Sequence, residues 1–441
     1  MTYCIVIGAG AAGLLAARQL VKAGKSVQVL EARNRIGGRT YTFRPAGFTN
    51  PVEAGAEFIH GDLPLTQQVL QEAGVSFYSM QGRTYQVKAG ALQETEEFIE
   101  HFDVLLATLE RLQQDMSLTA FLAQHFGDEA YAGLREGVLK FAEGYDAADA
   151  AKVSVFALRD EWLSGGAINS FFPKGGYGQA MQFLAEEVRA AGGAIHLGCV
   201  VQQVRWQQGL VEVQDAQGNT YTARQVLVTV PLGVLLSEPG SIGHIHFSPA
   251  LPAPYHVALQ QLGFGPVIKM LLEFKTCFWD DLALQNQVRQ MPELSFLLSD
   301  ASPVPTWWTH LPAKTPLLTG WLAGPNATQL QHLSEEALLA KALESLAYIF
   351  QTSTALLEAQ LVAARVVNWA ADPFARGAYA YATVQTAAAC QVLVQPLAGT
   401  LYFAGEALFT GHAMGTVEAA LASGKQAAQR MLSDEQKTSS S

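Results

Sequence analysis

The chain has 441 residues, of which 49% are hydrophobic and 15% charged. That suffices for two or three domains around a large core and excludes a disordered chain. Its 28 basic residues stand against 39 acidic ones, a formal charge of −11, so nucleic acid is not an expected partner.

The first elements read as a βαβ unit. Tyr3–Ile7 is a short apolar strand, Gly8–Gly13 a glycine loop, and Ala11–Ala23 a helix closed by Gly24. Ser26–Leu30 is a second strand. The apolar start lacks a basic leader, and its glycines fall at motif spacing, so it is not read as a signal peptide. From about Pro64 to Glu161 the chain looks mainly helical. Leu92–Gln114 carries apolar residues at helical spacing, and Ser117 is placed to cap the next helix. After a helix over Gln179–Ala191, strands are expected at 194–197, 200–206, 210–214 and 225–230, then at 267–274, 294–298 and 317–322. Glu335–Phe350 reads as a helix, Leu401–Phe403 as a strand, and 416–431 as a final helix before a polar tail, 433–441, expected to be disordered.

No uninterrupted apolar run is long enough for a bilayer, so no membrane contact is expected. Cys4, Cys199, Cys277 and Cys390 lack zinc-site or redox-pair spacing and are read as free thiols of a reducing, cytoplasmic compartment. No metal site is expected.

Gly8-Ala9-Gly10-Ala11-Ala12-Gly13 has the G-x-G-x-x-G spacing. Gly8 permits the tight turn, Gly10 lets backbone approach a pyrophosphate, and Gly13 lets helix and strand pack closely. The helix N-terminus offers free N–H groups and partial positive charge to phosphates. Glu31 ends the second strand, where a carboxylate can accept hydrogen bonds from ribose and would repel a 2′-phosphate. A second turn, Gly37-Gly38-Arg39, suits the flavin end of an extended dinucleotide, which favours FAD over a nicotinamide. Lys269 interrupts the apolar run Val267–Leu272; it is either a buried functional cation or an outward-facing strand lysine. Tyr379 and Tyr381, two apart, share one face of a strand.

These residues resemble the flavin-containing amine oxidase family, which includes monoamine oxidases, polyamine oxidases and lysine-specific histone demethylases. The likeness rests on GAGAAGLLAARQL, LEAR and GGRT, then VEAGAEFIHG (52–61), PKGGYGQAM (173–181), VLVTVPLGVL (226–235), VIKMLLEF (267–274), WAADPFARGAYAYA (369–382) and the segment 401–428. It implies an α/β fold: an interleaved two-domain flavoprotein, with a Rossmann-like FAD-binding domain from 1–77, 174–240 and 396–435. A substrate domain with mixed sheet and helices would come from 78–173 and 241–395.

The resemblance assigns FAD contacts to Gly8, Gly10, Ala12, Gly13, Glu31, Ala32, Arg33, Gly38, Arg39, Gly405 and Glu406. Val200 or Val201 would meet the adenine side, Trp369 the flavin ring, and Thr416 and Val417 its pyrimidine end. Lys269 would bind a water near flavin N5, and Tyr379 would wall the amine site. His60 would stand at the substrate entrance, or else be a polar turn residue. Monoamine oxidases carry a second tyrosine near the position of Thr416; here Phe409 or His412 would have to substitute. Their flavin-linking cysteine has no counterpart in Pro373–Tyr381, so the FAD is expected to be non-covalent.

The implied reaction is hydride transfer from the amine α-carbon to flavin N5, giving an imine or aldehyde and hydrogen peroxide. Its partners would be a polyamine or a primary or secondary amine and dioxygen, on a monomer or homodimer. The rival readings are an L-amino-acid oxidase, a desaturase or protoporphyrinogen-oxidase-like enzyme, and a non-catalytic flavin-binding scaffold.

Overall fold

The computed structural model describes residues 1–95, 99–164 and 170–439, side chains of 436–439 excepted. The strand Thr2–Ile7 is buried almost throughout, which is what an apolar run at the centre of a parallel sheet requires. It pairs in parallel with Val27–Leu30 on one side and with Thr220–Val228 on the other. Ala194–His196 extends the sheet past Val27–Leu30, and Leu401–Phe403 joins Thr220–Val228, both in parallel. Leu210–Asp215 and Val201–Gln207 continue it antiparallel. The edge strand His246–Ser248 comes from beyond residue 240, where the sequence reading had placed the other domain.

Helix Ala11–Lys22 is buried on nearly all faces. It lies between helix Gly178–Ala190 and helix Val417–Ser439. The last helix corrects the expected disordered tail: it runs to Ser439, and of that tail 440 and 441 lie outside the described residues. Two polar contacts hold its end: Tyr402 donates to Asp434 at 3.1 Å, and Lys25 pairs with Glu435.

A second, seven-stranded sheet runs in the order 361–368, 267–274, 317–323, 306–308, 294–299, 83–88, 91–94. It is antiparallel except where Leu294–Ser299 meets Arg83–Lys88. Val267–Phe274 is buried at every position between two antiparallel neighbours. The expected helix over Leu92–Gln114 is overturned at its start, and its residues 96–98 lie outside the described residues. Ala91–Glu94 is a strand hairpinned onto Arg83–Lys88, and helix begins only at Phe102. Ala89 and Gly90, at φ +49° and +76°, make the two-residue turn whose twist suits a hairpin. Ser117 does cap helix Leu118–His125, accepting from the Ala120 N–H at 3.3 Å. A small sheet of Ile59–His60, Ser170–Pro173 and Phe77–Ser79 lies between the two large ones in sequence. Among the described residues no helix is long and apolar enough to cross a membrane.

Candidate active site

A continuous cavity of about 1950 Å³ runs from the glycine turn to the second sheet. Gly8, Gly10, Ala12, Glu31, Ala32, Arg33, Gly38 and Arg39 line it, with Val200 and Val201, Trp369, Gly405, Glu406, Thr416 and Val417. Lys269, Tyr379, Tyr381 and His60 line it too. Gly13 does not; it lies behind the turn, packed on the carbonyl of Gly8.

The turn end is shaped for an extended dinucleotide. A Cβ on Gly10 would meet nothing nearer than the Gly37 carbonyl at 3.9 Å, so the missing side chain leaves an open cradle before the helix N-terminus. Glu31 is buried, and its carboxylate accepts from the N–H groups of Ala9 at 2.8 Å and Arg33 at 2.9 Å. The turn thus orients the group that would receive ribose hydroxyls. Arg39 Nη1 donates at 2.7 Å both to Glu406 and to the Ala378 carbonyl. The second Glu406 oxygen accepts from Ala380 N–H at 3.1 Å. One ion pair therefore ties the second glycine turn to the strand that carries Tyr379.

Lys269 is 1% exposed, which removes the outward-facing alternative. Its ammonium pairs with Glu57 and donates to the Gly55 carbonyl at 3.2 Å. Glu57 also accepts from Trp308 Nε1 at 3.1 Å and meets His310 Nε2 at 2.6 Å. Burial alone would push the Glu57 carboxyl up. The Lys269 charge and His310 outweigh that and hold it at about 2, so it is ionised at neutral pH.

Around Lys269 the wall is aromatic. Its ammonium lies 5.6 Å from the Trp308 ring centroid, and Trp308 packs at 5.7 Å against Trp321. Trp321 stacks with Tyr379 at 6.4 Å and 19°. The Tyr379 hydroxyl donates to the Tyr145 carbonyl at 2.5 Å. Trp369 is buried and donates to the Ala54 carbonyl at 2.8 Å. His60 contacts the Ser170 hydroxyl at 3.0 Å and the Tyr145 ring edge-on at 5.3 Å. Burial lowers its imidazole to about 4, so it is neutral at pH 7.

Thr416 caps the final helix, its hydroxyl accepting from Ala419 N–H at 3.3 Å, and brings no ring to the cavity. Of the two proposed substitutes His412 lines the cavity, whereas Phe409 packs against the core of the first sheet. The sequence reading missed Glu57, Trp308, Trp321, Tyr145, Asp146 and Glu161, all of which line the cavity, and His310 behind Glu57. Glu57 had the same signal as Lys269, a charge inside an apolar segment. The others carry no local signal.

The sequence profile described as flavin containing amine oxidoreductase matches residues 11–432. The lysine-specific histone demethylase 1 homolog 3 of Arabidopsis thaliana is 29% identical over 97% of this chain, which spans only 30% of that protein. Polyamine oxidase 4 of Oryza sativa subsp. japonica is 28% identical over 96% of this chain and 87% of its own. Among solved structures, a redesigned triple mutant of putrescine oxidase superposes with a TM-score of 0.80 at 22% identity, covering 98% of this chain and 99% of that one. Cyclohexylamine oxidase from Brevibacterium oxydans IH-35A gives 0.78 at 20%, covering 99% of each. At those identities the structural likeness establishes the fold.

Proposed function

The chain belongs to the flavin containing amine oxidoreductase family, and from that premise we propose how its cavity divides the work. The protein is an FAD-dependent oxidoreductase acting on amines. FAD, when bound, supplies the acceptor for the hydride lost from the amine α-carbon and returns the electrons to dioxygen as hydrogen peroxide. We assign the cofactor to the glycine turn, Glu31, Arg39 and Trp369, held without a covalent bond. The amine goes to the hollow between Lys269 and Tyr379. The observation that carries this reading is that one cavity holds both the dinucleotide cradle and the aromatic wall. Residues 1–77, 174–240 and 396–435 are proposed as the FAD-binding unit, with the strand His246–Ser248 at its edge. Residues 78–173 and the remainder of 241–395 form the substrate unit.

The chain's own residues orient the amine and exclude water. The substrate must shed its proton before the α C–H can leave as hydride. A free alkylamine with a pKa near 10 is neutral in roughly one molecule per thousand at pH 7, a cost of about 4 kcal/mol. Aromatic walls disfavour the ammonium and recover part of this. His60, neutral and half-buried, brings no positive charge against the amine. The rate of anaerobic flavin reduction is therefore expected to rise with pH from 6 toward 9. Stopped-flow traces that are fast at pH 6 and flat across this range would overturn the reading. A peroxide assay with spermidine, phenethylamine and free amino acids tests the substrate class. Amines are expected to turn over and amino acids not to, because the cavity beside Tyr379 presents the carboxyl groups of Asp146 and Glu161.

A further inference from the structure

An ammonium has three N–H donors. Among the described residues Lys269 places two of them, on Glu57 and on the Gly55 carbonyl at 3.2 Å. Lys269 lines the cavity, so the third donor serves whatever lies there. Its direction follows from where Glu57 holds its oxygens.

The Glu57 carboxylate is fixed by groups other than the lysine. Oε1 accepts from Trp308 Nε1 at 3.1 Å and meets His310 Nε2 at 2.6 Å, while Oε2 takes Lys269. Glu57 is ionised, and a carboxylate only accepts, so His310 Nε2 carries the proton and donates it. Two donors converging on one oxygen pin the carboxylate and aim the other oxygen at the lysine. Each oxygen already has a donor without His310, so the imidazole adds orientation more than satisfaction.

His310 itself does not line the cavity. It follows strand Thr306–Trp308, and its side chain is 17% exposed. Nδ1 is buried without a partner, so among the described residues the ring's one side-chain hydrogen bond goes to Glu57. Phe172 packs against the ring at 5.3 Å. Glu53 and Tyr78 also feel the Glu57 charge, and among the described residues neither hydrogen-bonds to it.

We infer that His310 is a positioning residue: through Glu57 it sets the direction in which the Lys269 ammonium faces the cavity, without touching amine or cofactor. This rests on Lys269 being a working residue of the amine-oxidase site proposed above. The lysine and the imidazole then act as one unit, and neither does its part alone.

The test compares wild type, H310F, H310Q, K269M and K269M/H310F as FAD-loaded enzymes. Single-turnover rates of flavin reduction and of reoxidation by dioxygen are measured, with spermidine or phenethylamine, whichever reduces the wild type faster. H310F keeps a ring against Phe172 and removes the donor; H310Q keeps a donor at the end of the side chain. H310F is expected to slow the half-reaction that K269M slows, by about tenfold, and H310Q to recover most of that loss. In the K269M background H310F is expected to cost nothing further, to within about twofold. The flavin midpoint potential gives a readout apart from turnover. Losing a cation that favours the reduced, negative flavin lowers it in K269M; a smaller fall is expected in H310F, and a return in H310Q.

H310F at wild-type rates in both half-reactions overturns the proposal. So does an equal loss with and without Lys269, which general damage to packing would give, or a potential that moves in K269M and not in H310F. If H310F does not retain FAD, H310N, whose shorter amide withdraws the donor, is read by the same coupling. K269M at wild-type rates and potential would instead sink the reading of Lys269, so the two failures are distinguishable.

Discussion

Replacing Lys269 with methionine is expected to slow one half-reaction, flavin reduction or reoxidation, by ~10²-fold, the usual cost of losing one preorganised charge at a reacting centre. It is also expected to destabilise the fold by about 3–5 kcal/mol, because the Glu57 carboxylate would stay buried without its cation. The two effects separate in a second variant. Adding Glu57→Gln to Lys269→Met removes the stranded charge and is expected to restore most of the stability but none of the rate.

The pH dependence has a definite sign. Glu57 is held at about 2, below its ordinary 4.5. A depressed carboxyl stabilises the fold fully above the unfolded value, and the contribution is lost as pH falls from about 4.5 toward 2. The difference corresponds to roughly 3 kcal/mol. In Lys269→Met the largest lowering influence is gone and burial pushes the carboxyl up, so the acid limb of stability should move toward neutral pH. Thermal unfolding between pH 3 and 8, with stopped-flow kinetics of both half-reactions, measures all of this. Unchanged rates in both half-reactions would remove Lys269 from the site.

The second large effect is a contrast between two glycines of one motif. A Cβ at Gly13 would lie 2.0 Å from the Gly8 carbonyl oxygen, a backbone atom that cannot step aside. Gly13→Ala is therefore expected to push helix Ala11–Lys22 off the central strand and leave little folded protein. A Cβ at Gly10 meets only the Gly37 carbonyl at 3.9 Å. Gly10→Ala should fold, with an apo-protein melting temperature within about 2 °C of wild type, since nothing is overpacked. Its methyl would occupy the cradle where the pyrophosphate must approach, so FAD affinity is expected to fall by ~10²-fold or more, a loss of roughly 3 kcal/mol. Flavin absorbance after gel filtration and calorimetry of the apo-protein read the two outcomes. A Gly10→Ala protein that keeps its flavin at wild-type affinity would show that the cofactor does not cross this turn.

The cofactor end was legible because its signals are local. The glycine spacing, the apolar strand before it and Glu31 after the second strand lie within about thirty residues, and each states a backbone requirement that only one geometry meets. Lys269 was legible for a related reason: a charge inside an eight-residue apolar strand, Val267–Phe274, demands a partner or a task. The sequence could not supply the partner. Glu57 reaches Lys269 across 212 positions and His310 across 253, and Trp308 joins them only because its strand pairs beside Leu317–Ala323. The misread stretch 92–114 failed for the same physical reason. Its apolar spacing satisfied a helix, but Ala91–Glu94 is claimed by the hairpin through Ala89 and Gly90, whose inner strand Arg83–Lys88 docks on Leu294–Ser299. Pairing with a distant strand overrides a weak local preference. Asp146 and Glu161 are only fifteen positions apart. Even so, the fold and not their spacing brings both to the cavity wall. Chain order alone thus marked the glycine turn at one end of the cavity and the lysine buried at the other. The folded neighbourhood decided what charge that lysine meets and what the hollow beside it can hold, because burial and partnership belong to pairs of residues that the chain does not keep together.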